Sequence, residues 1–129
     1  MTPIYLHEWS SFEEMCRDFD GTRWGSYKED PAPAHEHPRF QGVEVLLASY
    51  GTGNYEGDAF VLFRRDGKLY EVNGGHCSCY GLEGQWDPEE TTIEALEHRL
   101  DKGNVGSDWC GNSYAGELRA VLATLKEAA

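Results

Sequence analysis

Residues Asp58 to Trp86, DAFVLFRRDGKLYEVNGGHCSCYGLEGQW, decide the fold. Phe60-Val61-Leu62-Phe63 is an unbroken apolar run, and Leu69-Tyr70-Glu71-Val72 follows after Arg65-Asp66-Gly67-Lys68. Asp-Gly between two strand-like runs predicts a hairpin with a type I′ turn, because both central residues of that turn need positive φ. With Asp66-Gly67 at the tip, Arg65 faces Lys68, Arg64 faces Leu69, Phe63 faces Tyr70, Leu62 faces Glu71 and Val61 faces Val72. Opposite residues share a face, and faces alternate along each strand. One face therefore carries Val61, Phe63, Tyr70 and Val72. The other carries Phe60, Leu62 and Leu69, interrupted by Arg64 and Glu71. Apolar residues on both faces predict a central hairpin with helical cover, full on one side and partial on the other.

Upstream, Val43 to Tyr50 (VEVLLASY) reads as a further strand, and Gly51 to Gly57 as a wide hairpin connection. Its three glycines do not make a phosphate-binding loop, since they open a strand rather than a helix and no Lys-Ser/Thr follows. Nearer the N-terminus, Ser10 with Glu13 and Ser11 with Glu14 form overlapping capping boxes. Phe12, Met15, Cys16 and Phe19 then mark one helical stripe, which Gly21 can close. Residues 22–41 read as a long irregular loop broken by Pro31, Pro33 and Pro38, with Trp24, Tyr27 and Phe40 packing it on the body. Downstream, Asp87 reads as an N-cap with Pro88 in the first turn and Glu90 completing the box. Ile93, Leu96 and Leu100 give that helix its stripe, and Gly103 ends it. Asn104 to Ser113 is a Gly-rich loop, and a last helix spans about Tyr114 to Glu127. The prediction is a single α+β domain over 1–129, with a small antiparallel sheet of about three to four strands, an N-terminal helix and two C-terminal helices.

The chain has 129 residues, 23 Asp and Glu against 11 Lys and Arg, and a formal net charge of -12. That charge opposes direct nucleic-acid or anionic-membrane binding and favours basic partners or imitation of a polyanion. No run approaches the roughly 18 apolar residues of a membrane span. The start, MTPIYLHEWS, lacks the basic and apolar blocks of a secretory leader, so a cytoplasmic protein is expected. In a reducing compartment Cys16, Cys77, Cys79 and Cys110 are expected as thiols, without a cofactor.

Cys77-Ser78-Cys79 is the most reactive-looking segment. If extended, it points both thiols to one side, where Cys110 or a histidine such as His76 could complete a tetrahedral zinc site. Zinc knuckles, however, space their cysteines by two to four residues, and no second pair exists. A Cys/His dyad drawing on His7, His76 or His98 is the corresponding enzyme reading, and His35-Glu36-His37 is a further metal-ligand pattern on a Pro-flanked loop. The favoured expectation is that none of these is catalytic or metal-bound.

His76-Cys77-Ser78-Cys79-Tyr80-Gly81-Leu82-Glu83-Gly84-Gln85-Trp86, preceded by Leu69-Tyr70-Glu71-Val72-Asn73-Gly74, resembles a pattern in small uncharacterised proteins of bacteriophages and prophages. The resemblance covers roughly residues 50 to 96. It implies a phage-related origin and transfers no activity.

No Lys or Arg occurs between Lys68 and Arg99. At about 100° per residue, Glu90, Glu94, Glu97 and Asp101 fall in one sector of the predicted helix. Like charges at i, i+4 repel by a few tenths of a kcal/mol per pair. An exposed, solvated face with acids biased to the helix start accounts for such a row; the functional expectation is a binding face that imitates a phosphate backbone and docks on a basic host protein, as an inhibitor of a nucleic-acid-handling or defence system would. The alternatives are a small zinc- or thiol-dependent enzyme built on Cys77, Cys79 and a histidine, and a self-associating phage accessory protein.

Overall fold

Asp66 and Gly67 adopt φ of 53 and 75, the left-handed values that a two-residue I′ hairpin demands. The turn joins β3 (Glu56–Arg65) to β4 (Lys68–His76) in the register predicted from the sequence, with Phe63 opposite Tyr70 and Val61 opposite Val72. The computed structural model describes residues 2–20, 34–53, 56–76, 81–106 and 111–128. Around the hairpin it builds a five-stranded sheet in the order β1-β2-β3-β4-β5, where β1 is Ile4–His7, β2 is Glu44–Gly53 and β5 is Glu89–Thr91.

The sheet is larger than the three to four antiparallel strands expected, and it is mixed. β1 runs parallel to β2, with Ile4 opposite Leu47 and His7 opposite Tyr50. Between β2 and β3 the pairing extends to Gly53 opposite Glu56, so the expected wide connection shrinks to residues 54 and 55, outside the described residues. A bulge between Val45 and Leu47 explains the Leu46-Leu47 pair. The extra residue lets both leucines join the core on one side of the sheet, while Val45 and Ala48 join the other.

Each face has its own core. α1 (Phe12–Asp20) buries Met15, Cys16 and Phe19 against Val61, Phe63 and Val72. Of the two capping boxes the sequence offered, the Ser11–Glu14 one supplies its N-cap bond, with Glu14 N donating to Ser11 Oγ at 3.2 Å. Ser10 instead donates to the Glu14 carboxylate, and Glu13 pairs with Arg17 at 2.8 Å. Trp9 Nε1 donates to Asp18 at 2.7 Å, which satisfies a carboxylate buried beside this core. On the opposite face, α2 (Ile93–Lys102) and α3 (Ala115–Ala128) bring Leu96, Leu100, Leu118, Val121, Leu122 and Leu125 onto Leu47, Phe60 and Leu62. Burying a Leu or Phe side chain contributes roughly 1.5–3 kcal/mol, so these two apolar layers are the main source of stability.

The start of α2 corrects the reading of Asp87 as its cap. Thr92 is the N-cap, its Oγ1 accepting from Ala95 N at 3.1 Å, and Gly103 closes the helix with φ 75. Glu89, Glu90 and Thr91 lie before the helix, paired in β5 with Glu71, Tyr70 and Leu69. Within the long loop, residues 34–41 form two single 3-10 turns and bury Phe40 as expected, while Trp24 and Tyr27 fall outside the described residues.

The GLEGQW part of the phage-like segment has a structural role. Leu82 fills the space over Gly74, where a Cβ would stand 3.2 Å from Leu82 Cδ2. Gln85 acts as a one-residue strand: Gly75 N donates to its Oε1 at 2.8 Å, and its Nε2 donates to Gly75 O at 2.7 Å. β5 pairs with Leu69, Tyr70 and Glu71, so this carboxamide satisfies a stretch of β4 beyond the strand pairing seen among the described residues. Trp86 stacks on Phe63 at 5.4 Å and meets Phe19 and Phe40 edge-on.

Candidate functional site

The acidic row expected on one helix is divided between two elements. Glu90 belongs to β5, while Glu94, Glu97 and Asp101 belong to α2. Lys126 of α3 reaches Glu97 at 3.1 Å, and Arg119 reaches Asp101 at 3.3 Å. Such exposed pairs contribute about 0–1 kcal/mol, but they do place a cation beside each of those carboxylates. Glu90 and Glu94 are exposed and have no ion pair among the described residues, as is also true of Glu89. Within this row, together with Glu89, the carboxylates left without an ion pair among the described residues lie on β5 and the first turn of α2. They also guard the outer edge of a short edge strand.

A second polar cluster, which the sequence did not disclose, lies where β2 and β3 approach their shared connection. Ser49 sits on the α2/α3 face opposite Phe60. A buried hydroxyl there needs a partner. Asn112 supplies it: Ser49 Oγ donates to Asn112 Oδ1, and both residues are fully buried. Asn112 Nδ2 in turn donates to Asp58 Oδ2 at 3.4 Å. Gly51 makes room for this contact, since a Cβ there would lie 2.4 Å from Asn112 N. Beside it, His7 Nε2 is 2.8 Å from the Ser113 carbonyl, to which the ring donates, and Tyr114 stacks on Phe60 at 4.7 Å.

Asp58 itself is half-buried, with Gly51 and Gly75 opposite it on the two adjoining strands. Burial pushes its carboxyl above the ordinary 3.8, and the Asn112 amide offsets this only in part. Glu71, on the same face, behaves oppositely. Burial raises it, but Arg99 at 2.6 Å, together with Asn73 and Thr91, outweighs burial and holds it below 4.5. A half-buried carboxylate displaced from its ordinary range is a functional candidate. In sequence its signals were a serine inside an apolar strand and an acid flanked in register by glycines; that Asn112 is the partner is a tertiary fact.

The candidate ligands Cys77, Cys79 and Cys110 lie outside the described residues, as does the side chain of His76. The residues beside them are described. His76 stands opposite Gly57, Gly57 opposite Thr52, and a Cβ on Gly111 would be 3.5 Å from Thr52 O. His37 of the His-x-His pattern caps a 3-10 turn, its Nδ1 accepting from Arg39 N at 3.2 Å. Among the described residues no group of three or more His, Cys, Asp or Glu is arranged to hold a metal ion. Cys16 is buried as predicted, its thiol pushed up to about 12 by burial and then by Asp20 and Glu13. No described helix is long and apolar enough to cross a membrane. No protein-family model, curated protein or solved structure matches the chain.

Proposed function

We propose that this chain is a phage-related binding protein that presents an acidic edge to a basic surface of a bacterial protein. The observation that supports this reading is the segregation of charge. Glu89, Glu90 and Glu94 are exposed without an ion pair among the described residues, whereas Glu97 and Asp101 are met by Lys126 and Arg119. The net charge of -12 strengthens long-range attraction to a cationic partner. The docking residues are thus Glu90 and Glu94 of the original row, joined by Glu89, while Glu97 and Asp101 extend the field.

The test is capture from bacterial lysate with the wild type and with the Glu89→Gln, Glu90→Gln, Glu94→Gln triple variant, followed by binding of the captured protein at two salt concentrations. A basic partner should be retained by the wild type and lost by the variant, with affinity falling as salt rises. Equal affinity for both proteins at low salt would remove the acidic edge from the account.

One observation favours a metal or thiol site as a second reading: His76 and Gly111, which adjoin the two cysteine-bearing segments, both border the Thr52–Gly57 row. Elemental analysis distinguishes the readings. One zinc per chain, lost in a Cys77→Ser, Cys79→Ser double variant, selects the metal site; metal-free protein with partner binding intact selects the acidic edge.

A further inference from the structure

Two acceptors on the α2/α3 face have spare hydrogen-bonding capacity among the described residues. Asp58 receives one hydrogen bond, from Asn112 at 3.4 Å, and has no cationic partner among the described residues. Asn73 donates its Nδ2 to Glu71 at 2.9 Å, which fixes the amide and leaves its carbonyl oxygen as an acceptor. Asp58 lies opposite Gly75, and Asn73 is two residues before Gly75, so the two side chains are diagonal neighbours on one face, roughly 7 Å apart. Gly75 and Asn73 are exposed, which leaves this diagonal open to solvent. The buried Ser49–Asn112 pair holds one side, and Glu71 with Arg99 closes the other. Asp58, Glu71 and Arg99 together leave this patch of the sheet face one negative charge in excess.

The geometry points to a guanidinium-binding site formed by the Asp58 carboxylate and the Asn73 carbonyl over Gly75. A planar fork of N–H donors reaches two acceptors at this separation, whereas an ammonium group satisfies one at a time. A hard metal ion here would take most of its roughly six oxygens from water, with only one carboxylate and one amide from the protein. A guanidinium also restores to Asp58 the interaction that burial removes, and it is more weakly hydrated than an ammonium group. The ligand is either an arginine side chain of a protein or a free guanidino compound. The site is separate from the acidic edge and stands without it.

NMR titration of the isotope-labelled full chain with methylguanidinium chloride tests this. The side-chain amides of Asn73 and Asn112 and the backbone amide of Gly75 should shift saturably, with a dissociation constant on the order of 1–10 mM. Asp58→Asn should weaken this at least about tenfold, and Asn73→Ala should weaken methylguanidinium while leaving methylammonium unchanged. A capped Gly-Arg-Gly peptide that binds more tightly than methylguanidinium assigns the site to a protein arginine; equal affinity assigns it to a small guanidino compound. Non-saturating shifts, an unchanged response in Asp58→Asn, or equal responses to sodium or magnesium chloride would overturn the proposal. So would collapse of the Asp58→Asn fold, which would mean that the carboxylate already has a structural cation.

Discussion

Glu71 and Asp58 project from neighbouring strands of one sheet onto the same face, and their environments drive them in opposite directions. Glu71 stands opposite Leu62 beneath α2 and meets Arg99, so a fully buried carboxylate remains charged below its ordinary range. Asp58 stands opposite Gly75 and meets only an amide among the described residues, so a less buried carboxylate is held above its ordinary value. Depth of burial does not decide the outcome. The partner's charge does.

The largest effect is expected from removing that partner. Arg99→Ala leaves Glu71 buried without a counter-charge and should destabilise the fold by about 3–5 kcal/mol, measured by urea denaturation at neutral pH. Adding Glu71→Leu should recover most of the loss, because an apolar residue at that depth needs no cation. The acid dependence follows from sign. Glu71 is lowered in the folded state, so its contribution is present above 4.5 and disappears as pH falls through the folded value. Arg99→Ala should abolish that part of the acid sensitivity, and an unchanged profile would break the comparison on the Glu71 side.

Gly51→Ala comes next. Its Cβ would stand 2.4 Å from backbone rather than from a movable side-chain tip, so Asn112 must lift. A loss of about 1–3 kcal/mol is expected, with the Asp58 carboxyl returning toward its ordinary value as water reaches it. Asn112→Ala should cost a similar or smaller amount, roughly 1–3 kcal/mol, by leaving Ser49 unpartnered. Neither change should move the titration of Glu71; a shift there would mean that the two regions are one network.

Asp58→Asn has the smallest expected effect and the opposite sign. A carboxyl raised in the folded state lends stability only in acid and loses it as pH rises from 3.8 through the folded value. At neutral pH the asparagine should therefore melt at the same temperature or slightly higher, and the gain should vanish below pH 4. A marked drop in melting temperature would show that Asp58 is held by a cation after all.

The hairpin was legible because Asp66-Gly67 fixes the turn, and the turn fixes every pair and both faces. β1 was not, since four residues of IYLH carry no alternation and gain strand character only by lying beside β2. β5 was concealed by a competing local signal. Asp87-Pro88 with Glu90 spells a helix start, yet the backbone of residues 89–91 finds partners on β4 and the cap moves to Thr92. The acidic row failed as one helical face for that reason, and also because Lys126 and Arg119 come from a helix whose approach to α2 no periodicity discloses. The Ser49–Asn112–Asp58 chain joins residues as far as 63 apart in sequence, beyond the reach of any local pattern.

Carbon-13 NMR titration of the side-chain carboxyls of Asp58 and Glu71 in the folded wild type tests the central comparison most directly. Asp58 should titrate above 3.8 and Glu71 below 4.5, each displaced from its ordinary value in the direction its surroundings dictate. An Asp58 carboxyl at or below 3.8, or a Glu71 carboxyl at or above 4.5, would contradict the account.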